Sequence, residues 1–124
     1  MSDNIKYGII GAGTMGREHI HNIDIIDEAE VVALCDTNKN SIDQSLSTLE
    51  GGAETFSDLD NLIDANLVDA YIIATPNFTH IDVLKKIIKT NSHLLIEKPL
   101  CTTVKDCVDF QNLTKNYPSL IWTA

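Results

Sequence analysis

The stretch from Ile5 to Asp36, IKYGIIGAGTMGREHIHNIDIIDEAEVVALCD, decides the predicted fold. Its first residues form an apolar run that predicts a buried strand, and this run leads directly into a glycine-rich turn of the form G-x-G-x-x-G. A helix-like segment follows, and then a second apolar run that ends in Asp36, 20 residues after Gly16. A strand, a glycine turn, a helix, a strand and an acid at this distance are the pattern of a dinucleotide-binding unit.

Each glycine of the turn has a predicted physical role. Gly11 allows the chain to turn sharply out of the strand, where a Cβ atom would clash. Gly13 allows the backbone to approach a pyrophosphate closely, and Gly16 allows the helix to pack tightly on the strand. The start of the helix then presents free N–H groups and a partial positive charge to the phosphates.

Asp36 indicates which dinucleotide is bound. Its carboxylate can accept hydrogen bonds from both hydroxyls of an adenosine ribose, whereas a 2′-phosphate would meet a like charge. Thr37 and Asn38 follow, and the nearest cation is Lys39. The sequence therefore predicts NAD as the cofactor in preference to NADP.

Composition excludes several classes of protein. The 124 residues predict one domain, and 44% of them are hydrophobic. The net charge of −9 argues against binding to nucleic acid or to an anionic membrane surface. The three cysteines lack the C-x-x-C spacing of a zinc site and are odd in number, so we expect neither a metal nor a disulfide framework. No apolar run has the length of a membrane span and no signal peptide is recognisable, so we expect a cytoplasmic protein.

Hydrophobic periodicity predicts strands that alternate with helices along the whole chain. The predicted strands are 5–10, 30–35, 54–56, 67–74, 93–96 and 120–123. Helices are predicted at about 14–27, 38–50, 57–65, 77–88 and 103–116. This alternation predicts an α/β fold, a doubly wound and mostly parallel sheet of the Rossmann type with helices on both faces.

Local signals predict how three of the helices begin and what the last one buries. Ser57 and Thr103 each precede an acid by three residues and are predicted N-caps, and Asn77 is predicted to cap the fourth helix. The last helix is predicted to bury three side chains: Cys107, Phe110 and Leu113.

Ligands of such sheets bind at the carboxyl ends of the strands. The polar segments of this sequence follow four strands: Gly11 to Gly16, Asp36, Thr75 to Asn77, and Glu97 to Pro99. We therefore expect them to meet in one crevice. His19 and His21 are two positions apart on a helix and do not share a face, so we expect them to pack or to face solvent and not to hold a metal.

Three motifs in this order, together with the glycine turn, carry a resemblance over the whole chain. They are Gly16-Arg17-x-His19, Thr75-Pro76-Asn77-x-x-His80 and Glu97-Lys98-Pro99. The sequence resembles the glucose–fructose oxidoreductase/inositol dehydrogenase (Gfo/Idh/MocA) family. The glycine turn alone occurs in many families, but the combination is much more specific.

The resemblance implies a role for each matching residue. It implies cofactor binding by Gly11, Gly13, Thr14, Met15, Gly16, Asp36, Thr75, Pro76, Asn77, His80, Glu97 and Lys98. Lys98 is also the implied catalytic residue, because an ammonium group beside a nicotinamide can hold a substrate hydroxyl and stabilise developing negative charge. The peptide bond before Pro99 is expected to be cis, as in the family. Cys101 is interpreted as a packed residue, since no base is placed to activate it.

The resemblance also implies what this chain lacks. Family members continue into a second α/β domain with an Asp-x-x-x-His pair that supplies the acid/base, and no histidine here has that spacing. We therefore expect this chain to be truncated from a full-length parent, an NAD-dependent dehydrogenase that oxidises a CH–OH group of a sugar, polyol or cyclitol and assembles as a homo-oligomer. This chain alone is expected to be inactive.

Two other functions remain open from the sequence. A non-catalytic dinucleotide sensor would keep the same fold and act through protein contacts. A methyltransferase that binds S-adenosylmethionine also uses a glycine-rich turn and an acid after the second strand, although it needs neither the third glycine nor the Glu-Lys-Pro motif.

Overall fold

Six parallel strands form one sheet in the order β3-β2-β1-β4-β5-β6. The computed structural model describes residues 3–124. The strands are β1 (Ile5–Ile10), β2 (Ala29–Cys35), β3 (Glu54–Phe56), β4 (Ala70–Ile73), β5 (His93–Ile96) and β6 (Ile121–Thr123). The helices are α1 (Thr14–Asp24), α2 (Lys39–Leu46), α3 (Leu59–Ala65), α4 (His80–Ile87) and α5 (Val104–Thr114). The predicted doubly wound α/β fold is confirmed.

Alternation along the strands sends apolar side chains to two cores. On one face, Ile9, Leu34 and Ile72 pack with residues of α1 and α2. On the other face, the neighbouring Ile10, Cys35 and Ile73 pack with residues of α3 and α4. Strand β4 has a continuously apolar sequence and is buried along its whole length, as is typical of a strand covered on both faces.

The order of the strands determines where a ligand can bind. The chain winds outward from β1 to β3 in one direction and from β4 to β6 in the other. The crevice beyond the carboxyl ends of β1 and β4 is therefore the switch point of the sheet, where ligands of doubly wound folds bind.

The first two helices end earlier than the sequence predicts. Past Asp24 and past Leu46 the chain forms i→i+3 hydrogen bonds, from Ile26 N to the Ile23 oxygen and from Leu49 N to the Leu46 oxygen. These tight turns bring the chain back toward the next strand. The helices accordingly end before Asp27 and Glu50.

Two of the predicted caps are wrong and one is confirmed. Asp58, and not Ser57, caps α3 by accepting from Asn61 N. Asn77 does not cap α4, because Asn77–Thr79 form a 3-10 turn and α4 begins only at His80. The Thr103 side chain accepts from Asp106 N, as predicted for α5.

Helix α5 is less buried than its sequence predicts. It contains no buried residue: Cys107 is exposed, Phe110 is half-buried and Leu113 is 37% exposed. Helix α5 connects β5 to β6 at one end of the sheet. Because β6 has only three residues, it offers little sheet surface for the helix to pack on.

Among residues 3–124, no helix is both long and apolar enough to cross a membrane.

Candidate functional site

The glycine turn connects β1 to α1 at the switch point of the sheet. Gly11 has a φ of +94°, and a Cβ atom there would lie 2.6 Å from the carbonyl carbon and oxygen of Ala74. A Cβ atom on Gly16 would overlap the carbonyl oxygen of Gly11. A Cβ atom on Gly13 would meet nothing within 4 Å. Gly11 and Gly16 are thus required by the fold itself, whereas Gly13 borders open space.

The peptide groups at Ala12 are held by three side chains. The Ala12 N–H donates to Oδ2 of Asp36 over 2.8 Å. Its carbonyl oxygen accepts from the hydroxyl of Ser45, at 2.9 Å, and from Nη1 of Arg17, at 3.1 Å. Ser45 is fully buried. The turn is therefore fixed from β2, α2 and α1 before any ligand binds.

Asp36 is tied to the backbone through both of its carboxylate oxygens. Its Oδ1 accepts from Asn38 N at 2.8 Å, in addition to the bond from Ala12 to Oδ2. Each carboxylate oxygen has two lone pairs, so both can accept a further hydrogen bond. The carboxylate is thus held in one orientation with capacity left for a ligand's hydroxyls.

A cavity of about 700 Å³ lies beside the turn. The predicted site residues that line it are Gly11, Gly13, Thr14, Met15, Asp36, Thr75 and Pro76. Apolar side chains, among them Ile10, Leu59 and Val83, form much of the remaining wall. A partly apolar wall with a carboxylate, beside the N-terminus of α1, matches the needs of a nucleotide.

The loop after β5 lies outside the lining of this cavity. Its Glu97 is hydrogen-bonded to His19 of α1, with 2.6 Å between Oε1 and Nε2 and both side chains less than one-fifth exposed. Lys98 is exposed, and its N–H donates to the Ala124 oxygen. The Lys98–Pro99 peptide bond is cis, as expected. Glu97 contacts α1 and does not line the cavity. Its predicted contact with a cofactor therefore stays a proposal.

His80 is buried behind the two loops that follow β4 and β5. It is 2% exposed, and it does not line the cavity. Its Nε2 lies 3.1 Å from the carbonyl oxygen of Thr75, and its Nδ1 lies 3.0 Å from that of Pro99. Asn77, whose side chain is exposed, also lies outside the cavity lining. Within residues 3–124 no cluster of side chains is suited to hold a metal ion.

Comparison with known families identifies this arrangement. The family model described as "Oxidoreductase family, NAD-binding Rossmann fold" (GFO_IDH_MocA) matches residues 5–124. The chain belongs to the Gfo/Idh/MocA family. The methyltransferase alternative is therefore wrong.

Relatives with assigned names agree with this membership. The chain is 33% identical over 112 residues to 2,7-anhydro-N-acetylneuraminate hydratase of Escherichia coli, covering 90% of this chain and 29% of that protein. It is 34% identical over 101 residues to glucose-6-phosphate 3-dehydrogenase of Bacillus subtilis, covering 82% of this chain and 28% of that protein. The chain thus spans less than a third of the length of these curated relatives.

A solved structure shares the fold closely. It is scyllo-inositol dehydrogenase from Lactobacillus casei with bound NAD(H) and scyllo-inositol. The TM-score is 0.88 at 25% identity, over 98% of this chain and 36% of that chain. The Gfo/Idh/MocA dehydrogenase fold is thus confirmed for the described residues.

Sequence reasoning missed the side chains that support the turn. Ser45 follows Ile42 by three positions and so shares its buried helix face, which was a usable signal. Arg17 and His19 were quoted within a motif, but their partners were not predicted. The His19–Glu97 contact spans 78 residues, and local patterns carry no information at that separation.

Cys35 contributes a buried thiol to the cavity wall. Burial, with smaller contributions from the carboxylates of Asp36 and Asp58, raises the pKa of the Cys35 thiol from 9.0 to about 11. The reactive form of a cysteine is the thiolate, and a raised pKa lowers the fraction of thiolate at neutral pH. Cys35 is therefore a packing residue of the cavity and not a reactive group.

We expect thiol reagents to distinguish Cys35 from the exposed Cys107. At pH 8 the raised pKa leaves Cys35 with roughly a hundredfold less thiolate than it would hold at its ordinary pKa of 9.0, and Cys35 is only 5% exposed in addition. Alkylation of the folded chain, followed by peptide mass spectrometry, should label the exposed Cys107 much faster than Cys35. Cys107→Ser should lose the fast site while Cys35 stays slow. Equal rates at the two positions in folded protein would contradict the burial of Cys35.

Proposed function

We propose that this chain is the NAD-binding domain of a longer NAD-dependent oxidoreductase that acts on a CH–OH group of a sugar, polyol or cyclitol. The observation that carries the proposal is the placement of Asp36 beside the glycine turn, on a cavity of nucleotide size. The names of the relatives support the substrate class, since they describe glucose-6-phosphate 3-dehydrogenase and scyllo-inositol dehydrogenase.

In this proposal the cavity holds the adenosine half of the cofactor. Asp36 accepts hydrogen bonds from the ribose hydroxyls, and the backbone from Gly11 to Thr14 faces the pyrophosphate with the N-terminus of α1 behind it. Met15, Gly16, Thr75, Pro76, Asn77, His80, Glu97 and Lys98 complete the proposed cofactor site. NAD is favoured over NADP, because a 2′-phosphate at Asp36 would meet a carboxylate already fixed by two backbone N–H groups.

Lys98 is the proposed catalytic residue of this chain. The bound nicotinamide ring supplies the hydride acceptor. The Lys98 ammonium, exposed at the carboxyl end of β5, would bind a substrate hydroxyl and stabilise the negative charge that develops on its oxygen. The acid/base that completes the reaction is proposed to lie outside residues 1–124, as are most contacts to the substrate. By itself the chain should bind NAD(H) without turnover.

The remaining proposals concern the parent protein. We infer that the parent is a cytoplasmic homo-oligomer with a small polyol-like substrate. We also infer that it binds neither nucleic acid nor a membrane, because the net charge of −9 disfavours anionic partners. No observation favours the sensor alternative, and none of the three named relatives is described as a regulator.

Titration of the chain with NADH and NADPH, followed by nicotinamide fluorescence, tests the proposed function. We expect saturable NADH binding and weaker NADPH binding. Asp36→Ala should weaken NADH binding about ten- to a hundredfold, because hydrogen bonds to a charged group contribute roughly 1.5–3 kcal/mol. The preference for NADH over NADPH should shrink as well, since the like charge is removed.

Asp109→Ala is the matched control for this titration. Asp109 pairs with Lys105 on the surface of α5, so its loss removes the same charge without touching the cavity. It should leave both affinities unchanged. A melting curve of each variant separates lost contacts from lost folding, because Asp36 also supports the turn. A well-folded wild-type chain that binds neither nucleotide would refute the proposal.

A further inference from the structure

His80 connects two loops that the sequence separates by more than 20 positions. Its Nε2 faces the carbonyl oxygen of Thr75, and its Nδ1 faces that of Pro99. Thr75 lines the cavity, and Pro99 directly follows the exposed Lys98. The ring is 2% exposed, so water cannot readily replace either contact.

The chemistry of the two contacts restricts the state of the ring. A backbone carbonyl oxygen accepts hydrogen bonds and cannot donate one. A neutral imidazole carries one N–H, so it can donate to only one of the two carbonyls and would turn a lone pair toward the other. The ring donates to whichever carbonyl its N–H faces and packs against the other, so it lies between one carbonyl of each loop.

The other hydrogen bonds of the first loop do not reach the second. The Thr79 hydroxyl lies within hydrogen-bond distance of the Thr75 hydroxyl, at 2.8 Å, and the Pro76 oxygen, at 2.6 Å. These contacts fix the shape of the loop after β4 but not its distance from Lys98. His80 is placed to set that distance, since its ring lies between one carbonyl from each loop.

We propose that His80 is a positioning residue whose buried ring, lying between the carbonyl oxygens of Thr75 and Pro99, fixes the loop after β4 against the Lys98–Pro99 loop. It acts through Thr75 and Pro99, so its contribution to the proposed cofactor site is indirect. The inference deepens the proposed function and rests on it for the identity of the ligand. The expected consequence is that His80 supports the nicotinamide end of the site more than the adenosine end.

The contacts of the ring are tested on the wild-type chain labelled with ¹⁵N at histidine. Long-range ¹H–¹⁵N spectra should show a slowly exchanging ring N–H on His80, whereas the ring N–H of the exposed His21 should exchange rapidly. Rapid exchange of the His80 ring N–H would overturn the buried hydrogen bond. This measurement does not depend on any variant being folded.

The positioning role is tested with His80→Phe, which keeps a ring of similar size but has no donor. Calorimetric titration with NADH and with ADP-ribose, which lacks the nicotinamide, separates the two ends of the site. We expect NADH affinity to fall about tenfold, ADP-ribose affinity to fall less, and His21→Gln to change neither. Equal losses for both ligands, or no loss in a folded variant, would overturn the inference. A wild-type chain that binds neither ligand would refute the proposed function instead.

Discussion

Replacing Gly16 with alanine should strongly destabilise the chain. The added Cβ atom would overlap the carbonyl oxygen of Gly11 and lie 3.0 Å from its carbonyl carbon. Neither atom can move freely, because Gly11 is itself in a left-handed conformation, with its N–H bonded to the Cys35 oxygen. The clash must therefore separate α1 from the end of β1.

We expect Gly16→Ala to lower the free energy of unfolding by about 3 kcal/mol or more, the upper range for overpacking in a core. Domains of this size have roughly 5–15 kcal/mol of stability in total. The melting temperature, followed by circular dichroism, should therefore fall by about 10 °C or more. Loss of NADH binding would accompany the loss of folding.

Gly51→Ala is the control for the Gly16 variant. A Cβ atom at Gly51 would meet nothing within 4 Å, and its backbone is not in the left-handed region. This substitution should leave the melting temperature nearly unchanged. If Gly16→Ala melted at the same temperature as Gly51→Ala, the close packing of α1 on the turn would be disproved.

The sequence predicted the fold because its signals are local. Strand β1 and strand β5 have the predicted bounds, since an apolar run between turn residues is sufficient to define them. Helix ends were predicted less well, because the i→i+3 turns after α1 and α2 depend on where the next strand lies. The burial expected for α5 was wrong for a related reason. Periodicity shows which face of a helix is apolar but not how much sheet lies beneath it.

The site was predictable where backbone conformation decides it. Gly11 and Gly16 are required by contacts within a few residues, so the motif alone identifies them. Hydrogen bonds over long separations were not predictable: Ser45 bonds Ala12 across 33 positions and His19 bonds Glu97 across 78. The sequence therefore indicates which residues approach a ligand, but not which residues hold them in place.

Replacing Gly13 with alanine should abolish strong NADH binding while leaving the fold intact. Gly13 has a φ of −79°, which alanine adopts without strain, and an added Cβ atom would meet no protein atom within 4 Å. The stability should stay the same or rise slightly, because the unfolded chain loses conformational freedom. The added methyl group would instead project beside the cavity, where the pyrophosphate is proposed to approach the backbone.

Overpacking costs typically about 1–3 kcal/mol, so we expect the NADH dissociation constant to rise roughly ten- to a hundredfold. Fluorescence titration gives the affinity, and a melting curve on the same sample gives the stability. Gly51→Ala again serves as the control, because it adds the same methyl group far from the turn without loss of affinity. The contrast with Gly16→Ala is the decisive feature: the methyl group at Gly13 should weaken binding without lowering the stability, and the methyl group at Gly16 should lower both. Unchanged NADH affinity in a folded Gly13→Ala chain would mean that the pyrophosphate does not lie against Gly13, and the proposed position of the cofactor would then be wrong.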